Sequence, residues 1–204
     1  MSTTADEGLT RLRAAPIEAA CASVAAGRPA VVLDGDEGQL VMAADAVSTD
    51  WLAFFLRHTS GVISVALAGA RLDALGDPPS VDVRSGKGNG VSAAQRAATI
   101  RALCDPSSRG HDFISPGSVF PLLARAGGVL ERAGHTEAAV DLARMAGHAP
   151  AGVLSAIVSQ DKRNLARGSE LRRFVSAHGL PVIAIADLVA HRLEHDFLAR
   201  AAGG

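Results

Sequence analysis

The sequence predicts one α/β domain over residues 1–204. Three observations carry this. Short apolar runs that suit strands alternate with segments of helical periodicity. No linker, charge run or internal repeat divides the chain. Hydrophobic residues make up 48% of 204, enough to bury a sizeable core.

Residues from about Thr10 to Ala26 read as an amphipathic helix, with Leu9, Leu12, Ile17, Ala20 and Val24 at helical spacing and Gly27 as its cap. Pro29 to Leu33 and Leu40 to Ala43 read as strands joined across the acidic turn Asp34-Gly35-Asp36-Glu37-Gly38. Ser48 or Thr49 caps a helix through Trp51, Phe54, Phe55 and Leu56 to His58. Val62 to Leu67 is strand-like, Gly69 to Leu75 helical, and Ser80 to Arg84 alternates as a strand. The Gly-rich loop Ser85 to Gly90 leads into a helix over Ser92 to Leu103. Val119 to Leu123 is a strand, and Thr136 to Met145 a helix that stops at Gly147. Val153 to Val158 reads as a buried strand, Glu170 to Ala177 as a helix, Pro181 to Ile185 as a strand and about Ala186 to Arg200 as the last helix.

The formal net charge of −1 supplies no field that recruits nucleic acid or an anionic membrane. One Trp and no Tyr leave little to stack bases on. Cys21 and Cys104 lack metal-ligand or redox spacing and read as reduced thiols of a cytoplasmic protein. No secretory segment or membrane span is expected.

The most informative stretch is Gly134-His135-Thr136-Glu137, which sets an imidazole, a hydroxyl and a carboxylate where glycine gives way to a helix. A helix start exposes unpaired N–H groups and partial positive charge, suited to phosphate or enolate oxygens. Arg132 adds a cation beside it. Elsewhere the bland readings are favoured. His58 suits a helix C-terminus, His191 and His195 share a surface face without a third ligand, and Arg163, Arg167, Arg172 and Arg173 read as a solvated face. The Gly86 to Gly90 loop lacks the ending of a nucleotide P-loop and reads as a pocket rim.

Four blocks carry a family resemblance: Arg57-His58-Thr59-Ser60-Gly61-Val62-Ile63, the run Gly90 to Arg101, the run Pro116 to Ala143, and Pro150-Ala151-Gly152-Val153 with Leu165-Ala166-Arg167 after it. In this order they resemble the 3,4-dihydroxy-2-butanone 4-phosphate synthases of riboflavin biosynthesis. The resemblance implies a single-domain α/β sandwich, a homodimer with its pocket near the interface, and a small-molecule substrate. It implies conversion of ribulose 5-phosphate to the butanone phosphate and formate, with a divalent metal held by carboxylate, imidazole and waters.

Several positions depart from that pattern. The family's Arg-Glu-x-Glu-Gly-Asp run is shortened here, so Glu37 matches the second glutamate while Gly35 or a deletion replaces the first, and Gln39 replaces the aspartate. Ser64 stands for a cysteine, Gly88-Asn89-Gly90 for Thr-Thr-Gly, Ser118 for a histidine, Leu123 for an arginine, and Ser155-Ala156 for Cys-Glu. These changes lead to the expectation of a repurposed, metal-independent cyclase, isomerase or lyase of specialised metabolism, acting on a larger and less charged substrate. The authentic synthase and an inactive ligand- or partner-binding homologue stand as alternatives. His135, Glu137 and Glu37 are the expected catalytic residues. Arg132, Thr136, Thr59, Ser64, Asn89, Ser118, Leu123 and Ser155 are the expected substrate contacts. No cofactor is expected, Mg²⁺ entering only if His135, Asp36 and Glu37 keep part of a metal site.

Overall fold

The computed structural model describes residues 16–84 and 90–202, with side chains to residue 195. Its strands are β1 (Ala30–Asp34), β2 (Glu37–Ala43), β3 (Ile63–Ala68), β4 (Val81–Val83), β5 (Phe113–Ala124), β6 (Ala151–Ala156) and β7 (Val182–Ala184). They form one mixed sheet in the order β4-β5-β3-β6-β2-β1-β7. The β1/β7 and β3/β5 pairs are parallel and the other pairs antiparallel. The helices are α1 (residues 16–25), α2 (Thr49–His58), α3 (Gly69–Leu75), α4 (Ala93–Cys104), α5 (His135–Met145), α6 (Gly168–His178) and α7 (Ile185–Ala202). None of the described helices is long and apolar enough to cross a membrane.

Strand side chains alternate between two cores, as a period of two requires. Val31, Leu40, Met42, Val65, Leu67 and Val153 pack with α2, α4 and α6, while Val32, Val41, Ala43, Ala66 and Leu154 pack with α1, α5 and α7. Because both faces are covered, the strands read as continuous apolar runs rather than alternating ones. The second core is built of small residues. A Cβ on Gly152 would lie 2.7 Å from the Ala139 Cβ and carbonyl oxygen, so α5 lies almost on the sheet at its second turn.

Three boundaries differ from the sequence reading. The β1–β2 turn is tighter than expected: Gly35 takes a left-handed φ of +59°, and Glu37 pairs with Asp34 as the first residue of β2. Strand β5 begins six residues earlier than periodicity suggests, at Phe113, and runs through the cis Ser115-Pro116 bond. Its early half is polar and kinked, and it pairs with the edge strand β4 through a register shift at Val81/Asp82. Gly117 permits this, since a Cβ there would sit 2.0 Å from the Val81 carbonyl carbon. Strand β6 ends at Ala156, and the chain beyond it makes only bridges, Ile157 to Thr59 and Val158 to Leu165.

Candidate active site at the start of helix α5

Gly134 caps α5 without a side-chain hydrogen bond, and the first helical bond runs from Ala138 N–H to Gly134 O. The N–H groups of His135, Thr136 and Glu137 therefore open the helix ahead of its bonded ladder. They are a concentrated set of donors with the positive end of the helix dipole behind them.

His135 is partly buried, and its ring hydrogen-bonds the Val32 backbone. Its Nε2 is buried and has no partner. The ring thus keeps a buried nitrogen without a hydrogen-bond partner beside the Val32 backbone. Burial lowers the pKa of the imidazole from its ordinary value, while the carbonyl and the charges of Asp34 and Glu37 pull the other way. The net result is a neutral ring at neutral pH beside acidic groups of the β1–β2 turn.

Glu137, expected as a catalytic residue, is fully buried. Its Oε1 accepts from the Arg125 N–H at 3.0 Å and lies 2.8 Å from Arg132 Nη2, while Oε2 accepts from Arg132 Nε at 2.9 Å. Both oxygens are committed, so Glu137 fixes Arg132 as a fork rather than presenting a free carboxylate. Arg132 is half-exposed, so its donors beyond the Glu137 fork are not all buried. The turn before it is tied down by buried Asp141, whose Oδ2 accepts from Val129 N–H at 2.9 Å and pairs with Arg192 at 2.6 Å.

Glu37 and Asp36 both face Arg167, Glu37 in a very short contact with Nη2 and Asp36 at 3.4 Å from Nη1. From sequence alone Arg167 belongs to a solvated face. The Leu165-Ala166-Arg167 block is the signal that marks it out.

Other expected contacts are occupied elsewhere. Thr59 and Ser155 are buried; Thr59 donates to the Phe55 carbonyl at 2.8 Å, and Ser155 Oγ lies 2.8 Å from both Thr59 Oγ1 and the Val62 carbonyl. These hydroxyls close the end of α2 and satisfy the turn into β3. Ser118 Oγ sits 2.6 Å from both Asp82 Oδ1 and the Gly90 carbonyl, pinning the exit of the Gly-rich loop to β5. Ser64 is half-buried in β3 opposite Leu154 and Phe120. Leu123 is 47% exposed near the far end of β5. Asn89 lies outside the described residues. The structure therefore gathers Arg132, His135, Thr136 and Glu137 at one helix end with Glu37 acting on His135, and leaves Ser118 and Leu123 two or more strands away from β1.

The sequence pattern of the 3,4-dihydroxy-2-butanone 4-phosphate synthase family matches residues 18–191. The riboflavin biosynthesis protein RibBA of Rhodococcus jostii RHA1 is 49% identical over 200 residues, covering 88% of this chain and 48% of that protein. RibBA of Mycobacterium tuberculosis H37Rv is 46% identical over 208 residues, covering 92% of this chain and 48% of that one. The chain thus spans about half the length of the curated relatives it matches. The crystal structure of the Candida albicans 3,4-dihydroxy-2-butanone 4-phosphate synthase superposes with a TM-score of 0.82 at 37% identity, covering 86% of this chain and 96% of that one. A synthase solved in complex with two magnesium ions gives 0.82 at 36% identity, covering 88% and 97%.

Two expectations are corrected by these findings. A repurposed cyclase, isomerase or lyase of natural-product biosynthesis is overturned by relatives of nearly 50% identity that are named for riboflavin biosynthesis. The absence of a cofactor is overturned by related synthases, one solved in complex with two magnesium ions and one in a cation-free form. The chain belongs to the 3,4-dihydroxy-2-butanone 4-phosphate synthase family.

Proposed function

We propose that this chain converts ribulose 5-phosphate to 3,4-dihydroxy-2-butanone 4-phosphate and formate, using Mg²⁺, as a cytoplasmic homodimer of one domain per chain. The five carbons of the substrate are divided four and one between the products, so no second reactant is needed. The observation that carries the reading is the buried, partnerless Nε2 of His135 beside acidic residues at an open helix end.

Among the described residues no three His, Cys, Asp or Glu side chains converge as a complete metal cage. Magnesium does not need one, since it keeps several waters and is held through one or two protein carboxylates. The buried, unpartnered Nε2 of His135, with Glu37 and Asp36 at the neighbouring turn, fits that requirement. His135 and Glu37 would hold the ion, with Asp36 in support. When bound, it supplies Lewis-acid polarisation of the substrate's oxygens.

The chain's own residues do the rest. The phosphate binds at the N–H groups of His135, Thr136 and Glu137, with the Thr136 hydroxyl beside them. Arg132, its fork set by Glu137, neutralises the dianion and orients the sugar phosphate. Arg167 acts as counter-cation for Glu37 and Asp36 when the ion is absent. The homodimer reading is supported by apolar Ile114, Phe120 and Leu123, which β5 leaves 45%, 38% and 47% exposed.

The test is direct. Purified chain supplied with ribulose 5-phosphate and Mg²⁺ releases formate, chelator stops the release, and restored Mg²⁺ revives it. Formate at background level, with the chain folded by circular dichroism, overturns the reading. Light scattering of the same sample reports the dimer.

A further inference from the structure

A second cleft, of about 510 Å³, opens on the opposite face of the sheet from α5, between the end of α2, the chain after β6 and α6. Its size lies within the range of small-ligand sites. Arg57, Lys162 and Arg173 line it, and none of the three pairs with a carboxylate among the described residues. Glu170 is the acid in the lining, and it already accepts a hydrogen bond from the Gln160 N–H at 2.7 Å. The positive charge of the cleft is therefore largely uncompensated.

The same cleft has a wall of rings. Phe174 and His178 stand 4.7 Å apart between centroids, His58 and His178 4.9 Å, and His58 and Phe174 5.5 Å. Burial, then the charges of His178, Arg57 and Lys162, push the His58 imidazole below its ordinary pKa. Lys162 itself holds a left-handed φ of +59°, uncommon for a residue with a side chain. Its turn is stapled by the Lys162 N–H to the Ser159 carbonyl at 2.8 Å and by Ser159 Oγ to Asp161 at 2.6 Å. The fold thus holds a lysine at the cleft where a relaxed loop need not.

We propose that this cleft is a second binding site, separate from His135, for a phosphorylated small molecule carrying a flat ring. The phosphate sits among Arg57, Lys162 and Arg173, and the ring lies against Phe174 and His178. A phosphate dianion offers oxygens to all three cations at once through charge-assisted hydrogen bonds. Aromatic and imidazole faces then favour a planar ring over bare phosphate.

AMP and inorganic phosphate, titrated calorimetrically into the full chain at low salt, test this. AMP is expected to bind more tightly than phosphate. The double variant Lys162→Gln/Arg173→Gln, altered at two exposed positions, weakens AMP by at least about tenfold, the worth of one charge-assisted contact. Arg132→Gln, on the other face, leaves AMP affinity unchanged. In the unaltered chain the NMR titration midpoint of His58 rises on AMP saturation, because the dianion offsets its cationic neighbours. Unchanged affinity in the double variant, loss confined to Arg132→Gln, or no AMP binding at millimolar concentration overturns the site. Equal affinity for phosphate and AMP overturns the ring.

Discussion

Two arginine–glutamate pairs flank the start of α5, and they differ in the way that matters for function. Glu137 is wholly buried under a half-exposed Arg132, with both carboxylate oxygens hydrogen-bonded. Glu37 and Arg167 are 42% and 53% exposed, and the arginine is shared with Asp36. The first pair cannot separate without leaving a buried carboxylate and the Arg125 N–H unsatisfied, which is costly. The second can exchange its partner for water or an ion at little cost, since exposed ion pairs contribute about 0–1 kcal/mol. On the proposed function, one pair is scaffold for phosphate binding and the other is an adjustable set of ligands. The same two residue types serve opposite ends because burial, not identity, sets the penalty for parting them.

The comparison breaks most visibly at the ring between the pairs. His135→Ala is expected to lower kcat/KM for ribulose 5-phosphate by at least about 10²-fold, the scale of losing part of a metal site, and to leave the thermal melt close to that of the parent. Formate release and circular dichroism check both halves. Next is the buried pair: Glu137→Gln should cost about 2 kcal/mol of stability in urea denaturation, discounted for the exposure of Arg132. It should also raise KM more than it lowers kcat, because Arg132 loses its fork. A variant as stable as the parent with an unchanged KM would show that Glu137 is not the scaffold.

Arg167→Gln sharpens the other side. Its effect on stability should stay below about 1 kcal/mol, while Mg²⁺ binds more tightly once the competing guanidinium is gone. Magnesium titration monitored by activity and by calorimetry reads this. The smallest effect is that of pH. The imidazoles of His135 and His58 have folded pKa values lowered from 6.5, both chiefly by burial. The unfolded chain therefore binds more protons than the folded one between those lowered values and 6.5, and stability rises with pH across that window. Their contribution is complete above 6.5 and is lost as the pH falls through it. A denaturation series across the window in His135→Ala should show a shallower slope than in the parent.

Much of the fold was legible because its signals are local. The continuous apolar runs of Val31 to Leu33 and Leu40 to Ala43, the serine caps at Ser48 and Ser92, and the left-handed glycines at Gly76 and Gly179 all act within a few residues. The start of β5 was not, because Pro116 and Gly117 conceal a strand whose pairing with β4 depends on a close backbone approach. The site divided in the same way. The residues of the α5 start come together because they are neighbours in the chain. The roles of Glu137, Thr59, Ser155 and Ser118 could not be read from their types, since each is committed to a backbone group or side chain remote in sequence.

By itself, then, the sequence determined ancestry, the α/β class and the position of the helix start that presents His135. Tertiary structure alone decided which carboxylate is locked and which is free, that Arg167 joins the acidic turn across 130 residues, and that a cationic cleft lies behind the sheet. The physical reason is range. Propensity and capping act over one or two turns of chain, whereas desolvation and charge pairing depend on what the folded chain brings alongside.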